Sequence, residues 1–324
     1  MLTSAQTKVY EWRMQAFMGQ GNAVYDEALP RFIQNVKTMS RGQIDITLYP
    51  HAGLVPSFEL FNSVGNGKID LGLDAAVYWT GFMPLGELVW GWPFTYRHTQ
   101  EFDYFLWELG GMAIVRRATA ERGVFPLILA SHDRYGSVNS IVPIKELKDF
   151  KGLKIRTFSP YGNIMQRFGA STMMIPGEQL YTALATKLID GCTWGSPAGS
   201  NAIKLYEVAK YYSMPPWTEQ LPIILIMNLK TWQALPDDLK VILQMAAHAY
   251  AADASARVWH KDAIFLEDWQ KNRGVTVNWF SEEDLLRARK ISLELLDEKA
   301  KQDSYCAEYI ALMKKHLRLL NYAD

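Results

Sequence analysis

The chain has 324 residues, 49% of them hydrophobic and 21% charged, and its 34 basic and 34 acidic side chains cancel to a formal net charge of zero. That length admits two domains, the composition is ordinary for a globular protein, and the charge balance argues against a general nucleic-acid or anionic-membrane surface. No apolar run reaches the roughly 20 residues that span a bilayer. Met1 to Thr7 lacks the charged-then-apolar layout of a signal peptide, so the chain reads either as cytoplasmic or as a mature, processed protein. Cys192 and Cys306 fit no metal spacing and read as free thiols.

Residues 8–15 alternate, with Val9, Glu11, Arg13 and Gln15 on one face and Tyr10, Trp12 and Met14 on the other, which is the period of a strand. The strand runs into Phe17-Met18-Gly19-Gln20-Gly21-Asn22, where Asn22 suits the N-cap of a helix over 23–39 and Pro30 marks a kink or break within it. Gly19-x-Gly21 lacks the third glycine of a dinucleotide fingerprint, since position 24 is Val24, and reads instead as a tight turn close to a ligand. Ile44, Ile46 and Leu48 form a second strand, 57–66 a helix, and Ile69 to Leu73 a third strand ending at Asp74. Asp74 is a pocket candidate or, equally, a cap or turn residue. An irregular aromatic region runs from Tyr78 and Trp79 to Phe94, followed by a helix over 99–119 and a strand over 124–130 interrupted at Pro126.

Ser131 to Gly136 reads as a crossing into a second α/β unit over 137–220, and Pro215 to Gln220 as the crossing back, so the first domain is discontinuous. The longest helical tract opens at Pro236-Asp237-Asp238 and runs to about Arg273, roughly 54 Å at 1.5 Å per residue, long enough to span both domains. Val275, Val277 and Trp279 form a strand, and Ser281 caps the first of two C-terminal helices. Their apolar face (Leu285, Leu286, Ile291, Leu295, Leu296, then Tyr309, Leu312, Leu317 and Leu320) either folds back or dimerises.

Gly152 to Thr157 and Asp190 to Gly195 enclose a helix-strand-helix passage and therefore read as parallel strands joined by crossovers. Ligands of open α/β sheets sit outside the carboxyl ends of strands, which is where Arg156 and Trp194 fall. One reading is an arginine-and-tryptophan pocket for a small anion; the other is a surface arginine and a core tryptophan. The chain has no P-loop, nucleophile elbow, zinc motif or EF-hand loop, and its six histidines form no close pair.

Several ordered signatures carry a resemblance: Trp12-Arg13-Met14-Gln15; Leu48-Tyr49-Pro50 with Pro56-Ser57-Phe58-Glu59; Tyr78-Trp79-x-Gly81; Leu153-Lys154-Ile155-Arg156-Thr157; Pro176-Gly177-Glu178; Ile189-Asp190; Trp194-Gly195; and Val208-Ala209-Lys210-Tyr211-Tyr212. In order and spacing, over roughly 10–320, the chain resembles the DctP-type extracytoplasmic substrate-binding proteins of TRAP transporters, nearest to the α-keto acid-binding subfamily. The resemblance implies a periplasmic-binding-protein-like α/β fold: two lobes with a ligand cleft between them and a long helix spanning both. It implies lobe 1 at 1–132 plus 221–250, lobe 2 at 133–220, the long helix at 236–273, and a C-terminal strand and helices at 274–324.

The implied function is capture of a small organic carboxylate in the periplasm by cleft closure, without catalysis, for delivery to TRAP membrane subunits. A homodimer is implied and nucleic acid is not. Arg156 matches the arginine that pairs the substrate carboxylate; Trp194, Thr193, Trp217, Glu219 and Tyr135, with Asp74, Phe17 and Tyr78, are the further binding candidates. The subfamily commonly holds a metal cation through a Glu-Trp pair and a Trp-x-Glu. Trp217-Thr218-Glu219 matches the second, making Glu219 a candidate metal ligand, but Thr193-Trp194 has threonine where the first acid stands; no other cofactor is implied. Asp74, Asp133 and Glu219 offer an alternative in which an ammonium partner opposite Arg156 selects an amino acid. A ligand sensor on the same fold is a further alternative.

Overall fold

A computed structural model of the chain describes residues 8–322, apart from the side chains of 130–132; the stretch Met1 to Thr7 lies outside the described residues. Strands β1 (Tyr10–Ala16), β2 (Ile44–Tyr49), β3 (Leu71–Asp74), β4 (Val124–Tyr135), β5 (Val138–Ser140), β6 (Lys154–Arg156), β7 (Ser171–Met173), β8 (Gly191–Thr193), β9 (Tyr211–Met214), β10 (Thr218–Asn228) and β11 (Thr276–Trp279) form two sheets. The chain divides into two compact units. The first comprises Met1–Ala75, Arg116–Leu129 and Ile223–Ala254; the second comprises Ala76–Val115, Ala130–Pro222 and Ser255–Asp324.

The first unit is built on the sheet ordered β2-β1-β3-β10-β4. β1 pairs parallel with β2 and β3, and β10 pairs antiparallel with β3. Alternation in β1 buries Trp12, Met14 and Ala16. Helix Leu29–Met39 buries Leu29, Phe32 and Val36, one stripe at helical spacing. The expected break at Pro30 is a π-helical turn over Val24–Ala28, after which Pro30 sits in the first turn of the α-helix, where its missing N–H costs nothing. Pro126, expected to interrupt its strand, does not: β4 lies at the sheet edge, where a ladder donor is dispensable. The two segments expected as crossings are largely strand, β4 continuing to Tyr135 and β10 starting at Thr218.

The second unit carries the sheet ordered β11-β9-β5-β8-β6-β7. β6 pairs parallel with both β7 and β8, as the crossover reading requires. One side of this sheet is packed by Leu180, Ala183, Leu184, Ile189, Cys192 and Leu205. Both cysteines are free and buried. The single helix expected over 99–119 is two, Thr99–Trp107 and Gly111–Ala120; Gly110, at φ +101°, takes the left-handed turn that ends the first. Residues 76–115, read above with the first lobe, group with the second unit. They pack on its C-terminal helices, Glu282–Lys299 and Ser304–Leu319. Phe105 meets Tyr309 edge-on at 4.9 Å, Trp92 Nε1 donates to the Ser292 carbonyl at 3.1 Å, and Lys299 pairs with Glu87 at 2.7 Å in a buried ion pair. Within the apolar face offered for dimerisation, Leu295, Leu296, Tyr309 and Leu317 are buried in the chain itself and Leu286 is exposed. The long helix runs Asp237–Asn272.

Candidate functional site

Arg156 closes β6. Lys154, two residues earlier on the same face at the start of the strand, is exposed, whereas Arg156 is fully buried at 0% exposure. Its Nε donates to the Ile175 carbonyl at 2.8 Å and its Nη1 to the Thr193 carbonyl at 2.8 Å. Carbonyl dipoles hold the guanidinium without neutralising it. Nη2 is buried and has no partner, and no carboxylate pairs with Arg156 among the described residues. A buried charge left in this state is costly unless an opposite charge arrives. The guanidinium also lies 4.3 Å from the Phe158 ring centroid and 5.4 Å from that of Trp194, so its open side is bounded by aromatic walls.

Beside it runs a chain of buried hydroxyls. Tyr135 OH lies 2.6 Å from Thr193 Oγ1, and Thr193 Oγ1 donates to Thr157 Oγ1 at 2.9 Å. Burial pushes the Tyr135 phenol up to about 12, with the Arg156 guanidinium opposing the shift. Burial likewise raises the Cys192 thiol to about 12, so neither group ionises near neutrality. The chain is therefore a neutral donor network next to a fixed positive charge. Trp194 is half-buried and presses on Gly177: a Cβ there would meet the indole Cη2 at 2.1 Å, so only glycine allows this contact. Tyr78 stands edge-on to Phe158 at 6.3 Å.

Thus Arg156, Thr193, Tyr135 and Trp194 form one cluster, with Tyr78 one ring further out. Trp217 is buried among Phe94, Phe150, Tyr161 and Phe280. Glu219 pairs with Arg134 at 3.1 Å, and Arg134 stacks on Trp259 at 3.5 Å. Burial raises the Glu219 carboxyl, opposed by Arg134 and His98. Phe17 and Asp74 belong to the first unit: the Phe17 N–H donates to the Leu73 carbonyl, and Asp74, fully buried at the end of β3, accepts from the Ala75 N–H at 2.8 Å. The residues present do not fit a metal ion beside Arg156. Thr193 spends its hydroxyl on Tyr135 and Thr157, Glu219 is held by Arg134, and among the described residues no three His, Cys, Asp or Glu side chains gather as a ligand set.

The bacterial extracellular solute-binding protein family 7 (DctP) matches residues 15–303. The chain belongs to this family. It is 27% identical over 277 residues to the monocarboxylate 2-oxoacid-binding periplasmic protein of Nostoc sp. PCC 7120, covering 84% of this chain and 74% of that one. A TRAP periplasmic solute-binding protein from Pseudoalteromonas atlantica T6c, solved with bound sodium and pyruvate, superposes with a TM-score of 0.86 at 25% identity over 97% of this chain and 95% of that one. A TRAP transporter solute-binding protein from Bordetella bronchiseptica RB50 shares the fold at a TM-score of 0.90 and 20% identity, over 97% and 93% of the two chains. This protein is accordingly a TRAP solute-binding protein with the two-lobe fold of its relatives, and not an enzyme.

Sequence reasoning missed Thr157, Phe158 and the Ile175 carbonyl. The first two follow Arg156 directly at a strand end and could have been found there; the carbonyl carried no side-chain signal.

Proposed function

We propose that this TRAP solute-binding protein captures a small monocarboxylate of the 2-oxo or 2-hydroxy acid class in the periplasm and presents it to the membrane subunits of its transporter. The observation that supports this is Arg156: fully buried, fixed by two carbonyls, without a carboxylate partner, and with Nη2 unpartnered. A carboxylate supplies the missing charge and accepts from Nη2, a charge-assisted bond of the strong kind. Thr157, which accepts from Thr193 at the end of the hydroxyl chain and keeps its own proton, offers a neutral donor for a keto or hydroxy oxygen, and Trp194 with Phe158 supplies apolar walls. The amino-acid alternative is weaker, because Glu219 is engaged by Arg134 and Asp133 is bonded through Ser196. Closure of the lobes over the acid is part of the proposal and predicts a smaller radius of gyration on ligand addition.

The test is calorimetry with pyruvate, 2-oxobutyrate, lactate, malonate and alanine. Saturable heat is expected for the oxo or hydroxy acids and none for alanine. Binding that survives unchanged in Arg156→Ala, or a preference for alanine, would defeat the reading.

A further inference from the structure

A second charge cluster in the same unit has the opposite sign. Asp133 on β4 and Asp262 on the long helix are both more than nine-tenths buried. Ser196 touches both: its hydroxyl donates to Asp262 Oδ1 at 2.5 Å, and its N–H and side chain also reach Asp133. The Ala198 N–H adds a bond to Asp262 Oδ1 at 2.8 Å, and the Arg134 N–H one to Asp133 Oδ1 at 2.7 Å. Asp262 Oδ2 is buried and has no partner. A single hydroxyl carries one proton, so the Ser196 side chain cannot donate to both carboxylates at once.

No ion pair joins either aspartate among the described residues. The nearest cation, Arg134, is taken by Glu219 and lies over Trp259. The local groups are thus three carboxylates (Asp133, Asp262 and Glu219) against one guanidinium, with His98 near Glu219 and the Tyr212 hydroxyl neutral. Desolvated carboxylates in excess demand a proton or a cation. Burial raises both aspartates above the usual carboxylate range, with the charge of Asp262 adding to the rise at Asp133.

Asp262 opens onto a pocket of about 220 Å³ whose other walls include Trp259, Leu266, Met214 and Pro216. A metal ion suits it poorly: among the described residues no three His, Cys, Asp or Glu side chains converge as a ligand set, and the walls are mostly carbon. We propose that this pocket binds a small organic ammonium ion, its charged end on the Asp262 carboxylate and its apolar body against Trp259, Met214 and Leu266. The site is separate from the Arg156 cluster and does not depend on that reading. It gives the protein a second ligand class of opposite charge.

Calorimetry of the full chain with n-butylammonium and benzylammonium chloride at pH 8 tests this. One-to-one binding with a Kd below about 1 mM is expected. It should weaken about tenfold or more at pH 5.5, because protons compete for the same carboxylates. It should weaken about 30-fold or more in Asp262→Asn and stay unchanged in Arg156→Ala. Ala263→Phe fills the pocket from an exposed helix position and leaves the acids in place, so it should also abolish binding if Asp262→Asn fails to fold. Absence of saturation by either amine overturns the proposal. So does equal affinity in both variants, or displacement by ammonium chloride as effective as by benzylammonium, which would mark a site for simple ions.

Discussion

Arg156 and the Asp133–Asp262 pair are buried in one unit with opposite signs, and each leaves one polar atom unpartnered. Arg156 is held by carbonyls, the acids by hydroxyl and N–H donors; both sets solvate the charge and neither cancels it. The difference lies in what each can do unaided. A guanidinium keeps its charge through the physiological range, whereas a carboxylate can take up a proton. The arginine therefore creates a standing demand for an anion, while the acid pair creates a demand that fades as the solution is acidified.

The sharpest way to break this contrast is to remove the arginine. Arg156→Ala should weaken binding of the cognate acid by about 10²- to 10³-fold in calorimetry, since a buried charge pair loses one partner. Arg156→Lys should restore little, because an ammonium cannot reproduce the fork held between Ile175 and Thr193. Next in size is the neutral network: Thr193→Val leaves Tyr135 OH without its short partner and should cost about tenfold in affinity, with the fold retained by circular dichroism.

A smaller effect concerns stability and pH. The aspartate pKa values are raised in the folded state, so their contribution is full below the unfolded carboxylate value and is lost as pH climbs through the folded values. Thermal scans across about pH 4 to 8 should show a fall in Tm on the alkaline side that is shallower in Asp262→Asn. A steeper fall in the variant would contradict the assignment. The smallest expected effect is that of metal removal: EDTA treatment should leave the affinity for the acid unchanged within about twofold, because Thr193 and Glu219 are already engaged within the chain.

How much of this could be read in the sequence follows from the range of each interaction. The parallel strands β6 and β8, the long helix and Arg156 at a strand end were legible because alternation and crossover rules are local. The break between Thr99–Trp107 and Gly111–Ala120 was written in Gly110-Gly111, yet the apolar periodicity on either side masked it. The fate of Glu219 was not legible: its partner Arg134 is 85 positions away, and nothing local marks the two as a pair. Asp262 is 66 positions from Ser196 on the long helix, where one acid among several looks like solvated surface. The C-terminal apolar face was visible in sequence, but whether it met Phe105 and Trp92 or another copy depended on tertiary packing alone.

If the acid binds at Arg156 as proposed, the contact between Trp194 and Gly177 makes a residue outside that cluster a control on selectivity. The indole rests on bare backbone, so its tilt is set from behind, and the width left in front of Arg156 is set with it. A methyl group at 177 would act as a wedge, pushing the ring and retuning which acids fit without altering any donor or charge.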